Sequence, residues 1–187
     1  MNRPDTTLNI ETLGRFRIFV AGKPVAAAWP DEAIKMLFCS LLSPLDLYFT
    51  WDRICRSTMG VPETRTSRCQ LEEVFIRPLN SFLIRELGFS PLIAGNESIR
   101  IDKQRIHVDA LEFHTAAIEG LRLLSINNNS AALTKLGTAI SLYAGPYLPD
   151  MTGKIIVNTR KELESLHRTA VLAAEQLARN AGTPLAA

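Results

Sequence analysis

The chain has 187 residues, 47% of them apolar and 21% charged, with a formal net charge of +2. That length holds one large domain or two small ones, and the composition is that of a folded protein rather than a disordered one. A charge so near balance excludes nucleic-acid binding by bulk electrostatics, so any such role has to rest on local arrangement.

The three cysteines, Cys39, Cys55 and Cys69, are odd in number and form no C-x-x-C pair. Each sits beside apolar residues, so they are expected to be small core residues in a reducing compartment. His107, His114 and His167 are scattered and far from any cysteine, so no metal site is expected. Met1-Asn2-Arg3-Pro4-Asp5 is polar and lacks the apolar stretch of a secretory signal. No apolar run reaches the ~18 residues of a membrane span. A cytoplasmic location without a membrane partner is expected.

Residues 7–26 alternate, with Leu8, Ile10 and Thr12 on one face and Phe16, Ile18 and Val20 on one face after Gly14. Ala21-Gly22-Lys23-Pro24 is a turn and Val25-Ala26 opens another strand, giving a small antiparallel sheet. Pro30-Asp31-Glu32 starts a helix with Ile34, Leu37, Phe38 and Leu41 inward, ended by Ser43-Pro44. Residues 50–59 form a second helix with Thr50 as N-cap and Trp51, Ile54 and Cys55 inward.

A longer helical pattern covers 66–87, with Leu71, Val74, Phe75, Leu79, Phe82, Leu83 and Leu87 on one face and Gly88 as a left-handed cap. Pro78 lies inside it, so the helix either kinks there or stops and restarts. Residues 91–108 return to strand character, with Gly95-Asn96-Glu97 as a hairpin turn. From residue 109 the pattern is helical. Asp109-Ala110-Leu111-Glu112 looks like a capping box, Ser130 caps the next helix and Gly145-Pro146 ends it. A last helix runs from about 155 to 180, and the tail beyond Gly182-Thr183-Pro184 is expected to fray.

Strands, three helices and a hairpin, in that order, match the winged-helix architecture, in which the third helix enters the major groove and the hairpin is a wing. Leu13-Gly14-Arg15-Phe16 resembles the Leu-Gly-x-Phe step in the opening strand of regulators of the antibiotic-regulatory-protein (SARP) group. Leu83-Ile84-Arg85-Glu86-Leu87-Gly88 is similar to the end of their third helix. Downstream, His107-Val108-Asp109-Ala110-Leu111-Glu112-Phe113 resembles the Val-Asp-x-x-x-Phe start of the bacterial transcriptional activator domain. Leu142-Tyr143-Ala144-Gly145-Pro146-Tyr147-Leu148-Pro149 resembles that domain's central signature, and Arg160-Lys161-Glu162-Leu163 fits the Arg-x-x-Leu that follows. Physically, Gly145 supplies a positive φ that ends a helix, and Tyr143, Tyr147 and Leu148 pack the turn.

The resemblance implies an α+β winged helix of the OmpR-like subtype over 7–106, with a small antiparallel sheet, three helices and a C-terminal hairpin wing. An all-α, tetratricopeptide-like bacterial transcriptional activator domain over 107–181 follows it. It implies a DNA-binding transcriptional regulator with promoter DNA as partner, and a helical half that dimerises or contacts RNA polymerase or another protein.

The residues placed to meet DNA are Arg65, Thr66, Ser67 and Arg68 at the start of the third helix, and Arg77, Asn80, Ser81 and Ile84 if it restarts at Pro78. Arg100 in the wing and Lys103 beyond it complete the set. Helix N-termini and arginines suit phosphate, while Asn reads adenine and Arg guanine. Against this, residues 50–87 hold six arginines and five acids. Glu97 sits near the wing tip, where relatives carry Gly-Tyr-Arg before the last strand. The alternative is therefore an adaptor with a degenerate winged helix, acting through its helical half. No phosphate loop, dinucleotide fingerprint or nucleophile–histidine pair is present, so neither enzymatic activity nor a cofactor is expected.

Overall fold

The structure is a computed structural model and describes residues 8–26, 28–180 and 182. The expectations for the polar N-terminus, for residue 7 and for the tail from 183 lie outside the described residues, as does residue 181.

Two small sheets and a set of helices share one continuous apolar core that runs from Leu8 to Leu177. The first sheet contains β1 (Leu8–Glu11), β2 (Arg17–Val20), β3 (Lys23–Pro24) and β7 (Ile106–Val108). Its strand order is β3-β2-β1-β7. The β1–β2–β3 meander is antiparallel as alternation predicts, although the third strand is Lys23–Pro24 rather than a strand beginning at Val25. β7 is different: it pairs parallel to β1, with Leu8 opposite Ile106 and Ile10 opposite Val108. A parallel partner almost a hundred residues away leaves no local sequence signal, so sequence reasoning folds this segment into the hairpin region instead.

The second sheet joins β4 (Phe49–Thr50), β6 (Ser98–Ile101) and β5 (Leu92–Ala94) in the order β4-β6-β5. The helices of this half are α1 (Glu32–Leu41), α2 (Trp51–Met59), and a helical run made of α3 (Arg65–Leu71), a π-helical turn (Glu72–Ile76) and α4 (Arg77–Leu87). Local chemistry explains most boundaries. Asp31 caps α1 by accepting from Ala33 N–H, Thr50 caps α2 by accepting from Arg53 N–H, and Gly60 and Gly88 end α2 and α4 at positive φ. Thr64 and Ser67 form a reciprocal capping box at the start of α3.

Pro78 occupies the first turn of α4, directly after the π turn. The wider turn gives the proline ring room where a regular helix would bring the preceding carbonyl into it. It also advances the buried face by one residue. The inward series is Leu71, Ile76, Leu79, Phe82, Leu83 and Leu87, while Val74, expected inward, is 51% exposed and Phe75 is only half-buried.

The C-terminal half is helical: α5 (Asp109–Ser125), α6 (Asn129–Leu142) and α7 (Lys154–Asn180). Three expectations are corrected here. Asp109 does not close a capping box on α5; its carboxylate turns to β1 instead. Asn128, not Ser130, caps α6. The helix ends at Leu142, before Gly145, and the positive φ of Gly145 serves a backbone crossing rather than a helix stop.

That crossing is the seam between the two halves. Residues 13–14 run beside 145–148: Gly14 N–H donates to the Pro146 carbonyl at 2.9 Å, and Leu148 N–H donates to the Thr12 carbonyl at 2.8 Å. Gly14 (φ +79°) and Gly145 (φ +154°) face each other, and a Cβ on Gly145 would lie 3.0 Å from Gly14 Cα. Both backbone shape and close approach therefore demand glycine. The Asp109 carboxylate accepts from Thr12 N–H, Leu13 N–H and the Thr12 hydroxyl at 2.6–3.0 Å. Tyr147 is fully buried and its hydroxyl donates to the Cys39 carbonyl at 3.0 Å. The Arg160 guanidinium reaches the carbonyls of Tyr147, Leu148 and Met151. A buried hydroxyl pair, Ser43 with Thr159 at 2.8 Å, joins α7 to the end of α1.

Candidate nucleic-acid interface

The outward side of α3–α4 is built by what the inward side buries. Phe82 packs against Trp29 with ring centroids 4.4 Å apart and the planes tilted by 35°, and the Trp29 ring also contacts Phe38 of α1 and Phe16 beside β2. This aromatic cluster fixes the rotation of α4, so Ser81, Ile84 and Arg77 face solvent and Asn80 is half-buried at the margin. Arg65 and Thr66 are exposed on the first turn of α3. These six sequence-predicted residues share one elongated helical run. Arg100 is exposed on β6.

Three of the predicted residues already have partners within the chain. Ser67 is buried, and its hydroxyl donates to the Pro62 carbonyl while accepting from Thr64 N–H, so it caps a helix rather than meeting a ligand. Arg68 is turned onto the hairpin. Its guanidinium donates to the Asn96 carbonyl at 2.5 Å, sits 4.6 Å from the Trp51 ring centroid and pairs with Glu72 at 3.1 Å. Lys103 is half-buried, with its ammonium donating to the Asp46 carbonyl at 3.3 Å; burial lowers its pKa from the ordinary value, and Asp46 opposes that shift.

Trp51 was expected only to be inward, and it is also a polar anchor. Its indole N–H donates to the Gly95 carbonyl at 3.1 Å, and its backbone N–H donates to the Glu97 carbonyl at 3.3 Å. Trp51 and Arg68 thus grip the Gly95–Glu97 turn from α2 and α3, and the hairpin is fixed to the helices that flank it. The available signal was that a buried tryptophan needs a partner for its N–H, but nothing local says where that partner lies. The cysteine expectation holds for Cys39 and Cys55, which are buried, and fails for Cys69, which is exposed on α3. Burial pushes the Cys39 thiol well above its ordinary range.

The arginines of α4, and those of the neighbouring α2, are largely neutralised by acids of the chain itself. Arg77 pairs with Glu73 at 2.9 Å, Arg85 with Glu86 at 2.7 Å, Arg56 with Asp52 at 2.8 Å, and Arg53 with Asp46. The Arg56 hydrogen bond, with a second from Glu63 N–H, holds the Asp52 carboxyl below its usual range. Among the described residues, Arg65 and Arg100 have no carboxylate partner within 4.0 Å. Exposed ion pairs of this kind contribute only about 0–1 kcal/mol each, so a phosphate can compete for their arginines. No described helix is long and apolar enough to cross a membrane.

No protein-family model matches the sequence, and no curated protein sequence matches it. Among solved structures, the chain is similar to EmbR of Mycobacterium tuberculosis, determined in complex with a low affinity phosphopeptide. The TM-score is 0.65 at 16% sequence identity, over 94% of this chain and 46% of that one. The chain thus spans under half the length of the EmbR chain it matches. At this identity the likeness is one of fold, and it extends over nearly the whole of the chain.

Proposed function

We propose that the protein is a transcriptional regulator that binds duplex DNA as a winged helix. In this reading the outward face of α3–α4 enters the major groove and the β5–β6 hairpin lies along the backbone. The observation that carries it is the grip of Trp51 and Arg68 on the hairpin turn. It makes the helix and hairpin one preorganised surface, with Arg65, Arg77 and Arg100 left facing solvent. Arg65 and Thr66 would position the phosphates, and Arg77, Asn80 and Ser81 would reach base edges. The likeness to EmbR in fold supports the same assignment. Residues 107–181 then serve dimerisation or contact with RNA polymerase, and the protein carries out no catalysis.

A second reading is favoured by a specific observation. Val74 and Ile84 are each about half exposed on the same helical run, and most of its arginines are already paired. That surface also suits a protein partner, which makes the adaptor role the competitor. Binding to the upstream DNA of the protein's own gene, measured at several salt concentrations against a scrambled duplex, separates the two. A regulator shows sequence-dependent affinity whose salt slope falls by about one in Arg65→Ala, while Arg77→Ala narrows the gap between the cognate and the scrambled duplex. Weak, sequence-blind binding at low salt transfers the assignment to the adaptor.

A further inference from the structure

A cleft of about 620 Å³ opens between α2 and the start of α7, and no residue of α3–α4 lines it. We propose that it binds a phosphate-bearing small molecule. Four cations line it, Arg53 and Arg56 from α2 and Lys154 and Lys161 from α7, against the single carboxylate of Asp52. The arrangement follows from helical spacing. Arg53 and Arg56 are three apart and Lys154 and Lys161 seven apart, so each pair lies on one side of its helix.

The two arginines are partly satisfied, by Asp46 and Asp52. The two lysines are exposed and have no carboxylate within 4.0 Å among the described residues. Like charges gathered in a concave surface concentrate positive potential, and a multiply charged anion relieves their repulsion. The volume falls within the ~300–1,000 Å³ of small-molecule sites. Ile155 and Val157 give the cleft an apolar wall, and Asn158 and Ser57 add neutral hydrogen-bonding groups. A ligand with an apolar or aromatic part beside its phosphates, of nucleotide size, fits this mixture better than a bare inorganic ion. The walls come from both halves of the chain, so an occupant contacts each of them. The inference is independent of the DNA-binding reading, because none of these side chains belongs to the proposed DNA surface.

The test is isothermal titration of the full chain with ADP and, separately, inorganic pyrophosphate at fixed ionic strength. The proteins are the wild type, Lys154→Gln/Lys161→Gln, Lys161→Glu, and Arg65→Ala as an outside control. Saturable binding of ADP to the wild type and to Arg65→Ala is expected. Both cleft variants should bind about tenfold or more weakly while keeping wild-type helical circular dichroism. Should one cleft variant fail to fold, the other gives the reading. Tighter binding of ADP than of pyrophosphate is expected from the apolar wall. No heat with either probe at millimolar concentration in the wild type overturns the proposal, as does unchanged affinity in a folded cleft variant. If the wild type ignores both probes and the cleft variants instead lose duplex DNA affinity, the cleft is a backbone contact and the small-molecule site is rejected.

Discussion

The seam between the halves and the outward face of α3–α4 are held by opposite means. At the seam, glycines touch, the carbonyls of Tyr147, Leu148 and Met151 are held by one guanidinium, and the Asp109 carboxylate satisfies the chain where it leaves β1. The groups there have internal partners, several of them for Asp109 and Arg160, and little room to change. On the outward face, Arg77 pairs with Glu73 one turn away and Arg85 with the adjacent Glu86, in contacts that solvent already screens. A protein keeps the first kind of surface for its own structure and the second for exchange with something else. Variants should therefore damage stability at the seam and binding on the face.

The largest effect is expected at the glycine crossing. Gly14→Ala puts a Cβ 3.1 Å from the Ala144 carbonyl oxygen at a φ of +79°. Strain and overlap together should cost roughly 3 kcal/mol by denaturant titration. Gly137→Ala in α6, where nothing lies within 4 Å, should instead stabilise by up to about 1 kcal/mol. Equal effects at the two positions would erase the distinction.

Asp109→Ala comes next. It strips partners from Thr12 N–H and Leu13 N–H and should destabilise by about 2–3 kcal/mol, measured the same way. A loss as small as that of an exposed carboxylate would show that the halves are joined by their apolar core alone.

On the face, the comparison predicts the reverse. Arg77→Ala should change stability by no more than about 0.5 kcal/mol. Glu73→Gln frees Arg77 and removes a charge that repels phosphate, so duplex affinity at low salt should rise, by about threefold. A stability loss at Arg77 rivalling that at Asp109 would move this face into the structural class.

The smallest effect is a pH dependence. Burial lowers the pKa of His114, and Lys103 adds to the shift; burial also lowers that of His167, which stacks on Tyr143 at 4.0 Å. Lowered folded-state values mean the unfolded chain takes up protons first. Stability from these groups is therefore present above their usual value of 6.5 and lost as pH falls below it. His114→Gln should flatten the fall seen in denaturation curves between neutrality and pH 5.

What the sequence made legible follows the same division. Asp31, Thr50 and Gly88 act within one turn of themselves, so their roles are readable from neighbours. The segments that carry the resemblance, around Leu13-Gly14, Val108-Asp109, Gly145-Tyr147 and Arg160, prove to be the pieces that meet at the seam. They are recognisable because so many partners constrain them. Asp109 looked like a local cap because its true partners lie 96 and 97 residues away. Arg68 looked like a phosphate ligand because the carbonyls it holds belong to a turn 27 and 28 residues downstream. Val74 was misplaced because a single π turn advances the helix face by one residue, which an ideal period does not anticipate. Within the candidate surface, sequence identifies the exposed arginines but not their acid partners' geometry.

In the DNA-binding reading, the outward face of α4 lies against duplex DNA. Ser81, exposed in the middle of that face, gives the most direct measurement when replaced by a photo-crosslinking residue. A crosslink to the protein's own upstream duplex is expected, and a scrambled duplex should not reproduce it. A crosslink to a protein with none to DNA, under salt conditions where the duplex is otherwise bound, would contradict it.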